Sequence, residues 1–262
     1  MDLNLAGRHA LVCGASEGIG RAAAHELALL GADVTVLARR AEVLADVAAA
    51  LPVVADGQRH DTCVADVSQQ DRLREKIQAL VAAQPVHILV NNTGGPPGGR
   101  AIDAAPEAYL SAFQHHLLAN HLLAHAVVPG MQAAGWGRIV NVISTSVKEP
   151  IANLGVSNTI RGAVASWAKT LSKELAPDGI TVNNVLPGYT RTQRLEQILR
   201  DRMQATGKDE AAISSAMLAT VPAGRFADAH EVAAAIAFLA SPAAGYINGV
   251  SLAVDGGRMQ SI

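Results

Sequence analysis

The sequence is poor in cysteine and has no block of like charge. Its two cysteines, Cys13 and Cys63, fall in predicted apolar strands without the spacing of metal ligands, so we expect small core residues and neither a disulfide nor a metal site. The 21 basic and 23 acidic residues nearly balance. A nucleic-acid surface needs concentrated positive charge, so nucleic acid is not an expected partner.

Long hydrophobic runs are absent as well. No apolar run reaches the roughly 18 residues needed to cross a membrane, and the N-terminus lacks the charged-then-apolar pattern of a secretory signal. We therefore expect a cytoplasmic protein with no membrane partner. Half of the 262 residues are hydrophobic, enough for a sizeable core, and no linker-like stretch divides the chain. Residues 1–262 are predicted to form a single domain.

A glycine-rich stretch lies between an apolar run and an alanine-rich helical segment, 21–30. Gly14 allows the chain to turn, Gly18 allows backbone to approach a phosphate, and Gly20 allows the helix to pack close to the strand. The N-terminus of the helix offers N–H groups to a pyrophosphate. A second strand, 33–38, follows at the spacing of a βαβ unit. This context predicts a dinucleotide site rather than glycines that serve turns alone.

Strand and helix alternate along the whole chain. Further strands are predicted over 59–65, 86–90, 138–143, 179–186 and 250–254. Further helices are predicted over 40–51, 69–83, 106–134, 153–176 and 228–239, with a polar helical excursion over 192–218. Because the strands are continuous apolar runs, they indicate a mostly parallel seven-stranded sheet covered on both faces. We predict a Rossmann-type, doubly wound α/β domain with a substrate lid around 190–220.

Six motifs occur in order: Gly14-x-x-x-Gly18-Ile19-Gly20, Asp66-Val67, Asn91-Asn92-Thr93-Gly94, Gly137 to Ser144, Val182-Asn183-x-Val185-x-Pro187-Gly188 and Val254-Asp255-Gly256-Gly257. On these the chain resembles the short-chain dehydrogenase/reductase family over nearly its whole length, closest to the 3-oxoacyl-acyl-carrier-protein reductase-like branch. The resemblance implies a nicotinamide cofactor and a homotetramer. It implies that the pyrophosphate lies against Ser16 and Ile19, the adenine against Asp66 and Val67, the ribose against Asn92 and Gly94, and the carboxamide against Gly188 and Thr190.

The end of the second strand indicates which cofactor is bound. An enzyme that prefers NAD tends to place an acid there, whereas Arg39 and Arg40 follow Ala38 directly. Arginine suits a 2′-phosphate. The alternative is a solvated helix start, but the helix dipole disfavours a cation in the first turn. We therefore expect NADP (NADPH) rather than NAD, with Arg39 at the 2′-phosphate.

The catalytic positions depart from the family's pattern, which is a serine, a tyrosine thirteen residues later and a lysine four further on. Ser144 holds the serine place, but Ser157 and Arg161 stand where tyrosine and lysine are expected. A fourth family residue, an asparagine in the long helix, is His116 here, and Asn120 lies one turn further on. The resemblance therefore leaves the source of the proton open.

Carbonyl reduction leaves an alkoxide that must receive a proton. Ser157 is a poor acid, and Arg161 stays protonated, although it can still supply positive charge and bind the nicotinamide ribose. Three candidates for the proton donor remain: Tyr189, Lys148 and His116, the last because an ordinary histidine has a pKa near neutrality. Each also has a purely structural interpretation. Tyr189 would be a packing residue, His116 one of several histidines on an interface helix, and Lys148 a loop charge.

The leading hypothesis is an NADP-dependent oxidoreductase with a non-standard proton donor that acts on a small or medium carbonyl or alcohol. A nucleotide-binding protein without catalysis, either a sensor or a silent subunit, is the alternative. Non-redox chemistry is a third: halohydrin dehalogenases resemble this fold and carry arginine at the lysine place, but they keep a tyrosine and lack the dinucleotide glycines. The charges of 192–218 fit a solvated lid as well as recognition of an anionic carrier.

Overall fold

The computed structural model describes residues 1–261 and contains one sheet of seven strands in the order β3-β2-β1-β4-β5-β6-β7. Every neighbouring pair is parallel. The strands are β1 His9–Cys13, β2 Asp33–Ala38, β3 His60–Val64, β4 Ile88–Asn91, β5 Gly137–Val142, β6 Ile180–Pro187 and β7 Ser251–Val254. The strand order reverses between β1 and β4, which opens a crevice at the carboxyl ends of these strands. The predicted Rossmann-type, doubly wound fold is confirmed.

Helices cover both faces of the sheet. They are α1 Gly18–Leu29, α2 Ala41–Ala49, α3 Gln70–Ala83, α4 Pro106–Phe113, α5 Ala119–Ala133, α6 Gly155–Glu174, α7 Gln193–Thr206, α8 Glu210–Leu218 and α9 Ala229–Ala240. Buried residues of α1, α2 and α9 form one core with Ala10 and Val12, while those of α3, α5 and α6 form another with Leu11 and Cys13. Successive side chains of a strand point to opposite faces, so β1 is buried at every position and is apolar from Ala10 to Cys13.

The two cysteines are core residues, as predicted. Cys13 and Cys63 are both buried and unpaired, and they lie in the same core. Burial raises the pKa of both thiols above the ordinary value. Neither cysteine therefore offers a reactive thiolate near neutral pH.

The predicted single helix over 106–134 is wrong in detail. A π-helical turn, Gln114–Leu118, separates α4 from α5. The extra residue in this turn rotates the buried face of α5 relative to that of α4. An apolar pattern of helical period does not reveal such a rotation. The turn carries His115 and His116, and it buries His116.

The predicted polar helical excursion over 192–218 is helical and consists of two helices, α7 and α8. Helix α7 ends at Gly207, whose φ of 68° lies in the left-handed region. Helix α8 then begins at Asp209, whose side chain accepts a hydrogen bond of 2.8 Å from the backbone N–H of Ala212. Glycine after a helix and aspartate before one are the ordinary end signals, and both are readable in the sequence.

A chain of side-chain hydrogen bonds crosses the sheet close to the site. Asn91 donates to Asn141 at 2.9 Å, Asn141 donates to Asn184 at 3.0 Å, and Asn184 donates to Ser251 at 3.1 Å. These residues are register partners on β4, β5, β6 and β7. Buried amides that are paired in this way fix the strands relative to one another. The loops that follow β4, β5 and β6 therefore start from a rigid platform.

Among residues 1–261, no helix has both the length and the apolar character that a membrane crossing requires.

Candidate active site

The glycine turn after β1 has the geometry that the sequence predicts. Gly14 and Gly18 have φ values of 59° and 56°, a region that residues with a side chain rarely adopt. A Cβ atom on Gly20 would lie only 2.7 Å from Nδ2 of Asn92, so this position requires glycine for close packing. Asn92 Nδ2 in turn donates to the carbonyl oxygens of Cys13 and Gly14, both at 3.3 Å. The end of β4 is thereby tied to the turn.

A cavity of about 830 Å³ opens at the carboxyl ends of the strands. It extends from the end of β2 to the residues after β6, which suits an elongated ligand such as a dinucleotide. Of the predicted cofactor residues, Gly20 alone does not line it, because Gly20 packs beneath the turn. The others are Gly14, Ser16, Gly18, Ile19, Arg39, Asp66, Val67, Asn92, Gly94, Arg161, Gly188 and Thr190.

The two arginines after β2 differ in their partners. Arg40 donates to Glu17 Oε2 at 2.7 Å and to Ser16 Oγ at 3.3 Å, so its charge is partly neutralised. No carboxylate of residues 1–261 pairs with Arg39. Partial burial would raise the pKa of Asp66, but hydrogen bonds from Ser68 and the positive charge of Arg39 hold it below its usual value. Arg39 is the cation that remains available to a phosphate here.

Three of the predicted catalytic residues lie together on one wall of the cavity. Ser144 follows β5, and its Oγ accepts a hydrogen bond of 3.1 Å from the backbone N–H of Ser146. Ser157 and Arg161 are one turn apart on α6, and both are buried. All three line the cavity. Ser144 directly precedes a short 3₁₀ turn, Thr145–Val147, and this turn packs against α6.

Arg161 is fixed by backbone carbonyls and not by an acid. Nη1 donates to the carbonyl oxygen of Val142 at 2.9 Å, and Nη2 donates to that of Thr93 at 3.4 Å. Nε is buried without a partner among residues 1–261. Burial, and then the nearby charge of Arg194, lower the pKa of Arg161 to about 10. Arg161 therefore remains a cation at neutral pH and joins the end of β5 to the loop after β4.

The expectation that His116 titrates near neutrality is wrong. Its Nδ1 shares a hydrogen bond of 2.6 Å with Thr93 Oγ1, and the residue is 2 % exposed. Burial, and then the positive charges of Arg161 and His115, lower the pKa of His116 to about 3. His116 is therefore neutral at pH 7. It also faces a second cavity of about 660 Å³ rather than the one that contains Ser144.

Tyr189, which follows β6, lines the larger cavity, while Lys148 is exposed and does not line it. The Tyr189 ring packs edge-on against Phe226, with 6.1 Å between centroids, and the Arg258 guanidinium lies 4.6 Å from the Tyr189 centroid. Tyr189 thus combines a packing role with access to the site. Lys148 therefore fits its structural interpretation, an exposed charge in a loop.

Three residues that the sequence did not assign to the site also line it: Thr93, Arg194 and Arg258. Thr93 is inside a recognised motif, but its link to His116 depends on the π-helical turn. Arg194 is one of several charges in the polar excursion, and nothing in the sequence distinguishes it. Arg258 reaches the site from the C-terminal segment, where Nη1 donates to Thr145 Oγ1 at 3.4 Å.

Comparison with known proteins places this fold and site in a family. The family model adh_short_C2, described as enoyl-(acyl carrier protein) reductase, matches residues 14–258. The 3-oxoacyl-[acyl-carrier-protein] reductase FabG of Vibrio cholerae is 34 % identical over 258 residues, which cover 97 % of this chain and 98 % of that protein. The similarity thus extends over nearly the whole chain.

Comparison with solved structures indicates the same family. L-sorbose reductase from Gluconobacter frateurii, in complex with NADPH and L-sorbose, superposes with a TM-score of 0.91 at 29 % identity, and 100 % of both chains is covered. YwfH, an NADPH-dependent reductase involved in bacilysin biosynthesis, superposes with a TM-score of 0.90 at 30 % identity over 97 % of this chain and 99 % of that one. The chain therefore belongs to the short-chain dehydrogenase/reductase family, in the branch that resembles the 3-oxoacyl-acyl-carrier-protein reductases.

Proposed function

We propose that the protein is an NADP-dependent oxidoreductase that interconverts a small or medium carbonyl compound and its alcohol, with a proton donor other than the family's tyrosine. The observation that carries the proposal is the shared cavity. All of the predicted nucleotide residues except Gly20 line the same space as Ser144, so a bound nicotinamide would lie beside the group that holds a substrate oxygen. The NADPH-dependent reductases among the structural relatives support the same reaction class.

The residues present fit the cofactor. The free charge of Arg39 suits the 2′-phosphate, and the left-handed Gly18 at the start of α1 leaves backbone N–H groups open to the diphosphate. When bound, the nicotinamide supplies or accepts a hydride. The other contacts would be Ser16 and Ile19 at the diphosphate, Asp66 and Val67 at the adenine, Asn92 and Gly94 at the ribose, and Gly188 and Thr190 at the carboxamide.

Ser144 and Arg161 would stabilise the charge that develops on the substrate oxygen. Because Ser144 Oγ already accepts the N–H of Ser146, its own proton is available to the substrate carbonyl. Arg161 brings a fixed positive charge into a buried wall, where a charge acts more strongly than in water. Neither residue delivers a proton, because serine is a weak acid and Arg161 stays protonated.

The donor is therefore another group. His116 is neutral, is hydrogen-bonded to Thr93 and faces the second cavity, so it is a poor donor to a substrate on Ser144. The Tyr189 hydroxyl and a water molecule beside Ser157 remain. Serine in place of tyrosine removes a phenol ring, and the space that it leaves beside Ser157 is where such a water would bind.

The test is NADPH turnover against a panel of carbonyl compounds, with NADPH affinity measured in parallel by fluorescence. We expect turnover, and we expect Ser144→Ala to reduce kcat roughly 100-fold or more while NADPH affinity is retained. The matched control is Ser166→Ala, which changes an exposed serine on α6. NADPH binding without turnover of any carbonyl or alcohol would contradict the proposal and favour the nucleotide-binding protein without catalysis.

A further inference from the structure

The substrate side of the cavity carries arginines without acidic partners. Arg161, Arg194 and Arg258 all line it. No carboxylate in the described part of the chain lies within 4.0 Å of any of these three guanidiniums. Among residues 1–261, no ion pair therefore neutralises this positive charge, although Arg258 lies near enough to Glu149 to help lower the pKa of that carboxyl.

The acids that line the cavity are both at its adenosine end. Glu17 pairs with Arg40, and Asp66 lies near Arg39. Neither acid is a partner of the substrate-side arginines. Arg39 and Arg40 are matched in number by these two acids, so the excess of positive charge lies at the end of the cavity where the substrate would bind.

Arg194 and Arg161 converge on a single point of the loop after β4. A Cβ atom built on Gly95 would lie 3.5 Å from Nη2 of Arg194 and 3.7 Å from Nη2 of Arg161. Arg194 Nη2 also donates to the carbonyl oxygen of Pro96 at 2.8 Å, and this hydrogen bond connects α7 to the loop after β4. The proximity is also electrostatic, since Arg194 contributes, after burial, to the lowered pKa of Arg161.

Two like charges in a buried wall are unfavourable unless something opposes them. Arg161 is 8 % exposed and has only the carbonyls of Val142 and Thr93 as partners, while its Nε has none among residues 1–261. Carbonyl dipoles offset part of the charge, and an anion between the guanidiniums would offset the rest. The remaining N–H groups suit a planar acceptor with two oxygens.

The cofactor's diphosphate does not account for Arg194. Thr192, the residue just before α7, is the one that faces the glycine turn predicted to bind the diphosphate. A Cβ atom on Gly18 would lie 3.1 Å from Cγ2 of Thr192. Arg194 instead reaches to Gly95 and Pro96, beyond the predicted ribose contact at Gly94. Arg194 would therefore lie on the substrate side of a bound nicotinamide.

We infer that the substrate is a carbonyl compound that carries a carboxylate, and that this carboxylate binds between Arg194 and Arg161 while Ser144 holds the carbonyl oxygen. The inference rests on the proposed oxidoreductase function for the carbonyl itself. It assigns Arg194 as the residue that selects acids over neutral substrates, because Arg161 has a second task at the ribose.

The kinetic test compares 2-, 3- and 4-oxo carboxylic acids, each paired with its primary amide. We expect wild-type kcat/KM to favour an acid over its amide roughly 10- to 100-fold at one chain length. Arg194→Gln should lower kcat/KM for that acid by a similar factor, mainly through KM, and leave the amide and NADPH affinity unchanged. The control is Arg200→Gln, which changes an exposed arginine on the same helix that does not line the cavity.

The inference is overturned if acids and amides react equally well, or if Arg194→Gln weakens both alike. It is also overturned if Arg194→Gln weakens NADPH binding instead, because Arg194 would then serve the diphosphate. A binding measurement separates this inference from the proposed function: calorimetric titration of the oxo acid's sodium salt into the protein–NADP⁺ complex. Arg194-dependent binding without turnover would uphold the carboxylate site and refute the oxidoreductase, whereas turnover without acid preference would do the reverse.

Discussion

Arg161 donates a hydrogen bond from Nη1 to the carbonyl oxygen of Val142, so the guanidinium at the lysine place is attached to the last residue of the strand that leads to Ser144. The arginine side chain therefore reaches backbone two residues before Ser144, the proposed catalytic serine. A lysine at this position could pass on a proton, whereas an arginine stays protonated and supplies only positive charge.

The first prediction concerns cofactor choice. Arg39→Asp should reverse a preference for NADPH over NADH, because the change removes a charge-assisted contact worth about 1.5–3 kcal/mol and adds repulsion of the 2′-phosphate. The measurement is the dissociation constant of each cofactor by fluorescence. Arg40→Ala is the control, since Arg40 is already paired with Glu17. Equal affinity of the unmodified protein for both cofactors would refute the prediction.

The second prediction concerns Tyr189 as the proton donor. Tyr189→Phe keeps the ring that packs against Phe226 but removes the hydroxyl, so kcat for reduction should fall roughly 10²-fold if this hydroxyl is the donor. The measurement is the steady-state rate together with NADPH affinity, which should not change. An unchanged kcat would assign the proton to water.

The third prediction concerns the missing tyrosine and lysine. Arg161→Lys alone should not produce the rates typical of the family, because it restores a relay without its acid. Ser157→Tyr combined with Arg161→Lys should raise the reduction rate, since the two residues lie one turn apart and face the cavity that contains Ser144. The rate is measured with the best substrate of the panel. A double variant that binds NADPH but shows no gain in rate would contradict the catalytic assignment of this wall.

The fourth prediction concerns stability against pH. The pKa of His116 is lowered to about 3 in the folded protein, whereas an unfolded histidine has a pKa near 6.5. The unfolded chain therefore binds the proton first, and the stability from this site is full above pH 6.5 and declines below it. The free energy of unfolding in urea should fall by about 1 kcal/mol per pH unit between pH 6 and 4 on account of this residue. His116→Asn should reduce that slope; an identical slope in the variant would count against the buried neutral histidine.

The same residue gives an expectation for activity. Because His116 stays neutral above about pH 4, the rate of reduction should show no titration of this group between pH 5 and 8. A fall in rate near pH 6.5 that disappears in His116→Asn would restore His116 as the donor.

The fifth prediction concerns assembly. We expect a homotetramer, because apolar side chains remain exposed at the edge of the sheet and on α4, where a copy of the chain would bury them. They are Leu110, Phe113, Tyr246, Val250 and Leu252. Light scattering at micromolar concentration measures the mass. A monomeric mass would refute the prediction, and Leu252→Glu should weaken a tetramer that uses the β7 edge.

The sequence by itself determined the fold and most of the residues predicted to line the cavity at the ends of the strands. Continuous apolar strands can be buried only between two helix layers, and the glycines at 14, 18 and 20 are required by left-handed backbone or by close packing with Asn92. These constraints are local, so they are visible as spacing along the chain. The departure at Ser157 and Arg161 was equally visible, because it lies at a fixed distance from Ser144.

Only the tertiary structure decided where the departing residues lie and what surrounds them. The pKa of His116 is lowered by burial and then by the charges of Arg161 and His115, and Arg161 lies far away in the chain. The π-helical turn that carries the buried His116 leaves no mark on the apolar pattern. The approach of Arg194 and Arg161 to Gly95 likewise brings together three separate segments. The burial of a side chain and the charges around it depend on which segments lie together in the folded protein. The spacing of residues along the chain does not reveal which segments these are.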